Sequence, residues 1–455
     1  MSTTFRTLLF AAIFCLYWIT VNPFIDLRNP DVLLAQETGN AVQQLLSLLL
    51  TALGLRVIWR NTRLTAVVFF PALTVLLTWQ LMTVIFSSHP DLSIRRYIFS
   101  LTVFITSLVW ILVPEDEEHF IHMIKFLSLC ILGLAYFGIL FLPAVSIHNL
   151  SEVLELVNAG SWRGHFAHKN IAGPAMVVLA CYGMYLWRAK ARLAGAIIVP
   201  FALFFLYKTN NKTSIGLVII SFSMAYLISK TRSFALKALL AYIPLLLVAF
   251  LTLGTVLFPS ARELVQNFSS DPTFTGRADI WKFAVTQLGK HPLMGYGYEA
   301  FWATSSLVNG GYDVETWAAR AGHAHNAYLN VAITTGIIGV ILLIWWIVWC
   351  PLRDFHKAQN SGNAPSLSLM YLQIWMFMML YANLETAFFV NRGPVWFSLL
   401  TATMGLRLHA KASQIMSPDR KMARHAQRRA IPLLATRQAW STPSERENIP
   451  DKGRP

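Results

Sequence analysis

The chain has 455 residues, 55% of them hydrophobic and only 13% charged, and it carries a formal net charge of +15. A soluble domain keeps about a quarter of its residues charged. Here the apolar residues come in runs of about 18 or more, enough to cross a hydrocarbon core. A soluble globular protein is excluded, and an all-α polytopic integral membrane protein is expected.

In chain order, apolar runs place spans near 5–22, 40–58, 65–87, 96–113, 119–142, 169–188, 193–209, 213–229, 233–258, 326–351, 367–389 and 393–408, about twelve transmembrane helices in all. The run at 40–58 is the weakest, diluted by Gln43, Gln44 and Arg56. The first run has no small-x-small cleavage site and is read as a retained span rather than a secretory signal. Cys15, Cys130, Cys181 and Cys350 all fall in apolar runs, with no metal-ligand spacing, and read as small core residues. No broken, Gly/Pro-interrupted pair of spans of the transporter kind is visible.

Residues 1–408 thus form a polytopic domain and 409–455 a tail, with ten Lys or Arg against four Asp or Glu. The tail has no apolar periodicity and reads as disordered. It suits a topology anchor on anionic lipid or a docking segment for a partner. Nucleic-acid binding has little support, because aromatic residues do not interleave with the basic ones. Basic residues in the loops at 56–63, 188–192, 230–237 and 353–357 put both termini in the cytoplasm under the positive-inside rule. Two segments do not span. They are 143–168 and the large loop 259–325 between the ninth and tenth spans, and both fall outside the cytoplasm.

The polar candidates gather on that outer side. "GHAHNAYLN" (322–330) opens the tenth span with two histidines. Asn326 is placed to cap that helix, and His325 stands just before its positive end. That field disfavours imidazolium, so His325 is the candidate base and His323 its orienter. A metal pair, or histidines bonded to loop backbone, are the alternatives. Arg277 in "FTGRADIW" (274–281) and Lys212 in "YKTNNKTSIG" (207–216) are fixed cations able to hold phosphate. They equally suit a surface ion pair and an interfacial lysine. His168 and Asn170 in "GHFAHKN" (164–170) open the sixth span, where Asn170 also suits a helix cap. Glu385 in "NLETAFFVNRG" (383–393) lies near the outer end of a span, where an acid is functional or paired. Gly295 and Gly297 in Gly-Tyr-Gly-Tyr either let a turn pass close to a ligand or form an ordinary turn. No nucleotide-binding or metal-binding motif occurs, so no cofactor and no metal are expected.

These segments resemble the O-antigen ligase and repeat-unit polymerase superfamily, and within it the exopolysaccharide-production (ExoQ-like) polymerases. "GHFAHKN", "FTGRADIWKFAVTQLGKHPLMGYGYEAFW" (274–302), "HAHNAYLNVAITTGIIG" and "NLETAFFVNRGPVW" (383–396) carry the resemblance, which runs over about 160–400. The Lys212 turn departs from it, since the family usually has Ser-Arg there.

The resemblance implies a metal-independent, inverting glycosyltransferase on the periplasmic side of the bacterial inner membrane. Such an enzyme moves glycan from undecaprenyl diphosphate to an acceptor hydroxyl. Arg277 and Lys212 would hold the diphosphate and His325 would take the acceptor proton. His323, Asn326, His168, Asn170 and Glu385 would shape the site. Its partners would be the lipid-linked oligosaccharide, membrane lipids, and other polysaccharide-assembly and chain-length proteins. An O-antigen ligase delivering polymer to lipid A core remains open. So does a transporter or flippase of lipid-linked glycans.

Overall fold

The computed structural model describes residues 1–29, 41–69, 71–152, 156–268, 274, 276–302, 304, 307, 318, 321–362 and 365–415. The expected tail from 416 onward lies outside the described residues, as does most of 303–320 in the large loop.

Helices form in all twelve predicted stretches. They are α1 (Thr3–Trp18), α2 (Ala41–Arg60), α3 (Thr62–Phe69) with α4 (Ala72–Ile85), α5 (Pro90–Leu112), α6 (Glu117–Phe141), α7 (Lys169–Arg188), α8 (Arg192–Lys208), α9 (Lys212–Lys230) and α10 (Phe234–Leu251). Two shorter helices lie within the segment read as a large loop, α11 (Pro259–Phe268) and α12 (Arg277–Leu288). The last three are α13 (Ala327–Asn360), α14 (Pro365–Tyr381) and α15 (Pro394–Ile415). Strong caps set several starts: Asp116 accepts from the His119 amide at 2.8 Å, and Asn211 from the Ser214 amide at 2.8 Å.

Seven of these helices are individually long and apolar enough to span, or eight if α3 and α4, bent by 67°, count as one. α1 has 16 residues and α8 and α14 have 17 each. At about 1.5 Å per residue these are a few ångströms short of a ~30 Å core.

Helices α7, α14 and α15 form the centre of the bundle. α10 lies at its edge, with Lys237 and Ala241 as its only buried residues and Leu239, Ile243, Leu246 and Leu247 exposed. That is the pattern of a lipid-facing helix. Cys181 and Cys350 are buried, whereas Cys130 is exposed on the outside of the bundle and is not a core residue.

Two features differ from the sequence reading. The run 367–389 is not one helix: α14 stops at Tyr381, and 382–393 crosses to α15 as irregular backbone. Glu385 therefore sits between helices rather than inside one. The tenth span is also broken, at Gly336, whose φ of +72° is open to glycine. There the carbonyls of Ile333, Thr334 and Thr335 accept from the Tyr296 amide (2.9 Å), the Gly297 amide (3.0 Å) and the Trp79 indole (2.9 Å). The Ile337 amide donates to the Pro292 carbonyl at 2.9 Å. Backbone freed by the break is thus paired within the protein, as a low-dielectric setting requires. The close approach at Gly295 is to this helix, where a Cβ would lie 2.6 Å from the Ile333 carbonyl oxygen.

Candidate functional site

Segment 382–393 is pinned to the start of α13 by main chain and amide. The Ala327 amide donates to the Ala382 carbonyl at 2.8 Å, and Asn326 Nδ2 donates to the Asn383 carbonyl at 2.9 Å. Asn326 Oδ1 accepts from the Leu329 amide at 2.9 Å, so the same side chain caps α13 and clamps the neighbouring segment.

On this frame four of the predicted residues meet. Arg277, the first residue of α12, donates from Nη2 to Glu385 Oε1 at 2.6 Å and from Nη1 to the Leu384 carbonyl. Glu385 Oε2 lies 3.2 Å from His325 Nδ1. The His323 and His325 rings have centroids 4.1 Å apart. His323 Nδ1 accepts from the His325 amide at 3.3 Å and lies 3.2 Å from Thr386 Oγ1. Trp281 of α12 donates to the Ala324 carbonyl at 3.0 Å, fixing the histidine segment against that helix. His325 itself has a φ of +47°, a costly region for a side chain with a Cβ.

The charges follow a gradient of access. The Glu385 side chain is 8% exposed, Arg277 18% and His325 28%. Burial alone would raise the Glu385 pKa. The Arg277 guanidinium, helped by the His325 hydrogen bond and the charges of His325 and His323, outweighs burial and holds the carboxyl at about 2. An ionised carboxylate only accepts, so a neutral His325 carries its hydrogen on Nδ1 and leaves a lone pair on Nε2. The arrangement can orient a proton-accepting imidazole beside a fixed cation.

His168 and Asn170 belong to a second group, with Asn211. The cap of α7 is the His168 ring, whose Nδ1 accepts from the Asn170 amide at 3.1 Å. Asn170 instead accepts from Asn211 Nδ2 at 2.9 Å through its side chain. Its role as a helix cap is corrected, because an extended His168 reaches the orphan amide first. Beside it, His148 Nδ1 contacts Glu152 Oε2 at 2.7 Å, a buried pair in the 143–168 loop that lies outside the segments carrying the resemblance and was not singled out. The two groups are joined by Tyr381, which donates to the Asn170 carbonyl at 2.8 Å. Lys212 is exposed as the first residue of α9, and among the described residues it forms no hydrogen bond or ion pair with either group. Tyr381, Thr386 and the Leu384 carbonyl were also missed. A carbonyl leaves no trace in side-chain patterns, and the other two read as core and loop.

An apolar groove of about 520 Å³ runs between α9, α10 and α11 and is lined by Leu217, Leu247, Leu251, Val265, Phe274 and Leu384. Leu384, one of these lining residues, is the one whose carbonyl accepts from Arg277.

Comparison with known proteins places these features. Residues 175–344 match the O-antigen ligase family. Arg277, His323 and His325 lie inside that stretch, and Glu385 lies beyond it. The chain is 24% identical over 170 residues to a putative polysaccharide ligase of Rickettsia felis, covering 35% of this chain and 40% of that protein. It is 30% identical over 111 residues to the exopolysaccharide production protein ExoQ of Rhizobium meliloti, covering 23% of this chain and 24% of that one. These matches span well under two thirds of either relative. The family match includes two of the segments that carried the sequence resemblance, 274–302 and 323–339, and the chain is similar over that stretch to the O-antigen ligase family and, in part, to polysaccharide ligases and ExoQ.

Proposed function

We propose that the protein is an inverting, metal-independent glycosyltransferase that polymerises exopolysaccharide repeat units at the periplasmic face of the inner membrane. The observation that carries this reading is the Arg277–Glu385–His325 chain of contacts at 2.6 and 3.2 Å. His325 Nε2 takes the proton of an acceptor sugar hydroxyl as its oxygen attacks the anomeric carbon of the donor. The bond from that carbon to the diphosphate breaks, and its electron pair leaves on the phosphate oxygen. Arg277 stabilises the charge that develops there, and Glu385 stabilises the imidazolium. A single displacement inverts the anomeric centre.

The apolar groove supports the choice of an undecaprenyl-diphosphate donor, since its walls suit an isoprenoid chain and include Leu384, whose carbonyl accepts from Arg277. Lys212 is assigned a supporting contact to the diphosphate, and His168 and Asn170 shape the site through Tyr381. Twelve spans with both termini in the cytoplasm put these groups on the outer side.

The carrying experiment uses the purified full-length protein in nanodiscs with lipid-diphosphate-linked repeat units. Longer glycan on the lipid carrier and release of undecaprenyl diphosphate, both unaffected by chelator, are expected. No product under these conditions refutes the reading. The relatives named polysaccharide ligases favour a second reading, in which the acceptor is not another lipid-linked unit. Deleting a polymerase leaves single repeat units on the carrier, whereas deleting a ligase leaves full-length polymer there.

A further inference from the structure

A second polar cluster lies at the other end of segment 382–393, and the proton-transfer step does not use it. Arg96, near the start of α5, donates from Nη1 to the main-chain oxygen of Glu299. Glu299 follows the Gly-Tyr-Gly-Tyr turn with a φ of +50°, a conformation that its surroundings must enforce. Its carboxyl accepts from Asn330 Nδ2 at 3.2 Å. Asn330 is one turn along α13 from Asn326, is 1% exposed, and its Oδ1 is buried with no partner among the described residues. Asn391 reaches the Arg96 carbonyl at 3.5 Å through Nδ2, and its Oδ1 is likewise buried and unpartnered. Arg392 follows directly. Its side chain is exposed, and desolvation and the Arg96 charge lower its pKa.

The chemistry of this set narrows what it takes. A phosphate would use the guanidiniums and be repelled by the carboxyl and the two amide oxygens. A sugar hydroxyl both donates and accepts, so it satisfies amide oxygens, carboxyl and guanidinium together. Burial of two amide oxygens without partners is unfavourable unless a ligand donor reaches them. Burial also raises the Glu299 carboxyl to about 7, against the Arg96 charge and the Asn330 bond, so the group is able to donate as well as accept near neutrality. Leu384, beside Glu385, lines the donor groove, whereas Arg392 lies seven residues from Glu385, at most about 25 Å of chain. The two substrates would thus approach opposite ends of one segment.

We propose that Arg96, Glu299, Asn330, Asn391 and Arg392 form a hydroxyl-binding subsite for the acceptor glycan, an inference that rests on the transferase reading above. The test has two arms, both on full-length protein in nanodiscs. Equilibrium binding is measured with the oligosaccharide freed by mild acid from the host's own lipid-linked repeat units. Steady-state transfer is measured with lipid-linked donor and acceptor varied separately. Glu299→Ala is expected to weaken oligosaccharide binding and raise the acceptor KM about tenfold, with the donor KM unchanged. Asn391→Ala removes only one long contact to the fold and is expected to act in the same direction by threefold or more, which covers the case that Glu299→Ala fails to fold. Wild-type transfer with acceptor binding and acceptor KM unchanged in Asn391→Ala and in folded Glu299→Ala overturns the subsite and leaves the transferase reading intact. Absence of transfer in the wild type, with oligosaccharide binding still dependent on Glu299 and Asn391, overturns the transferase reading and keeps a glycan-binding site.

Discussion

Replacing Glu385 by glutamine tests the site most directly. The side chain keeps its shape, so the exchange removes charge and proton-accepting character while leaving the packing of segment 382–393 in place. The carboxyl is held at about 2 from an ordinary value of 4.5. At ~1.4 kcal/mol per pH unit, its surroundings favour the ionised form by a net of about 3 kcal/mol, burial included. The group is almost fully buried, so solvent screening removes little of this. If His325 becomes imidazolium in the transition state, a hydrogen bond between charged groups is worth about 1.5–3 kcal/mol, so its loss corresponds to roughly 10–10² in rate. An amide can also donate to Nδ1 and turn the lone pair away from Nε2. That change of tautomer is the larger effect where it occurs, up to about 10⁴. The expected result is a kcat lowered by about 10–10⁴ with the donor KM little changed, measured as undecaprenyl diphosphate released per enzyme in nanodiscs. A folded Glu385→Gln enzyme with kcat within threefold of wild type would refute the argument that this carboxylate sets the state of His325.

Other outcomes follow from the same contacts. Arg277→Ala should lower turnover by about 10²–10³, the usual contribution of an oriented donor to a leaving-group charge. It should also remove the acid sensitivity that the depressed Glu385 carboxylate gives the fold. A depressed carboxylate stabilises the fold above its unfolded pKa near 4.5 and loses that contribution as pH falls toward 2. Without Arg277, burial raises the folded-state Glu385 pKa toward or above its unfolded value, so the fall in melting temperature in detergent that this group causes in wild type between about pH 4.5 and 2 should shrink or vanish; identical pH profiles would remove Arg277 as its cause. His325→Ala should cost about 10²–10⁴ in turnover with donor binding retained, and His323→Ala less; full turnover in His325→Ala removes it as the base. Alkaline phosphatase fused after Gly310 should be active and after Lys411 inactive, and the reverse pattern overturns the proposed topology.

Much of the helical framework was legible because lipid-crossing helices need long apolar runs. The site was legible as separate pieces, in the two histidines, Arg277 and Glu385, but not as an arrangement. Glu385 read as a charge inside a span because "MLYANLETAFFV" is apolar on both sides, and nothing in that run reveals that α14 ends at Tyr381. Its pairing with Arg277 spans 108 residues, which local patterns cannot report. Thr334-Thr335-Gly336-Ile337 looks like continuous helix, because the break depends on carbonyl partners from the 292–297 turn and Trp79. Asn170 looked like a cap because asparagine commonly is one, while the extended backbone of His168 gave that role to an imidazole.

The break at Gly336 has a consequence for the order of assembly. Until the 292–297 turn docks, the exposed carbonyls and amide of α13 would face lipid, at several kcal/mol for each unpaired group. The turn precedes α13 in the chain and is synthesised first, so it can already stand at the outer surface when α13 enters the bilayer. α13 then reaches its bent form only by meeting a partner delivered ahead of it. Truncation or mispositioning of the outer segment should therefore strand α13 as a straight helix, out of register with His325 and Asn330, even though its own sequence is untouched.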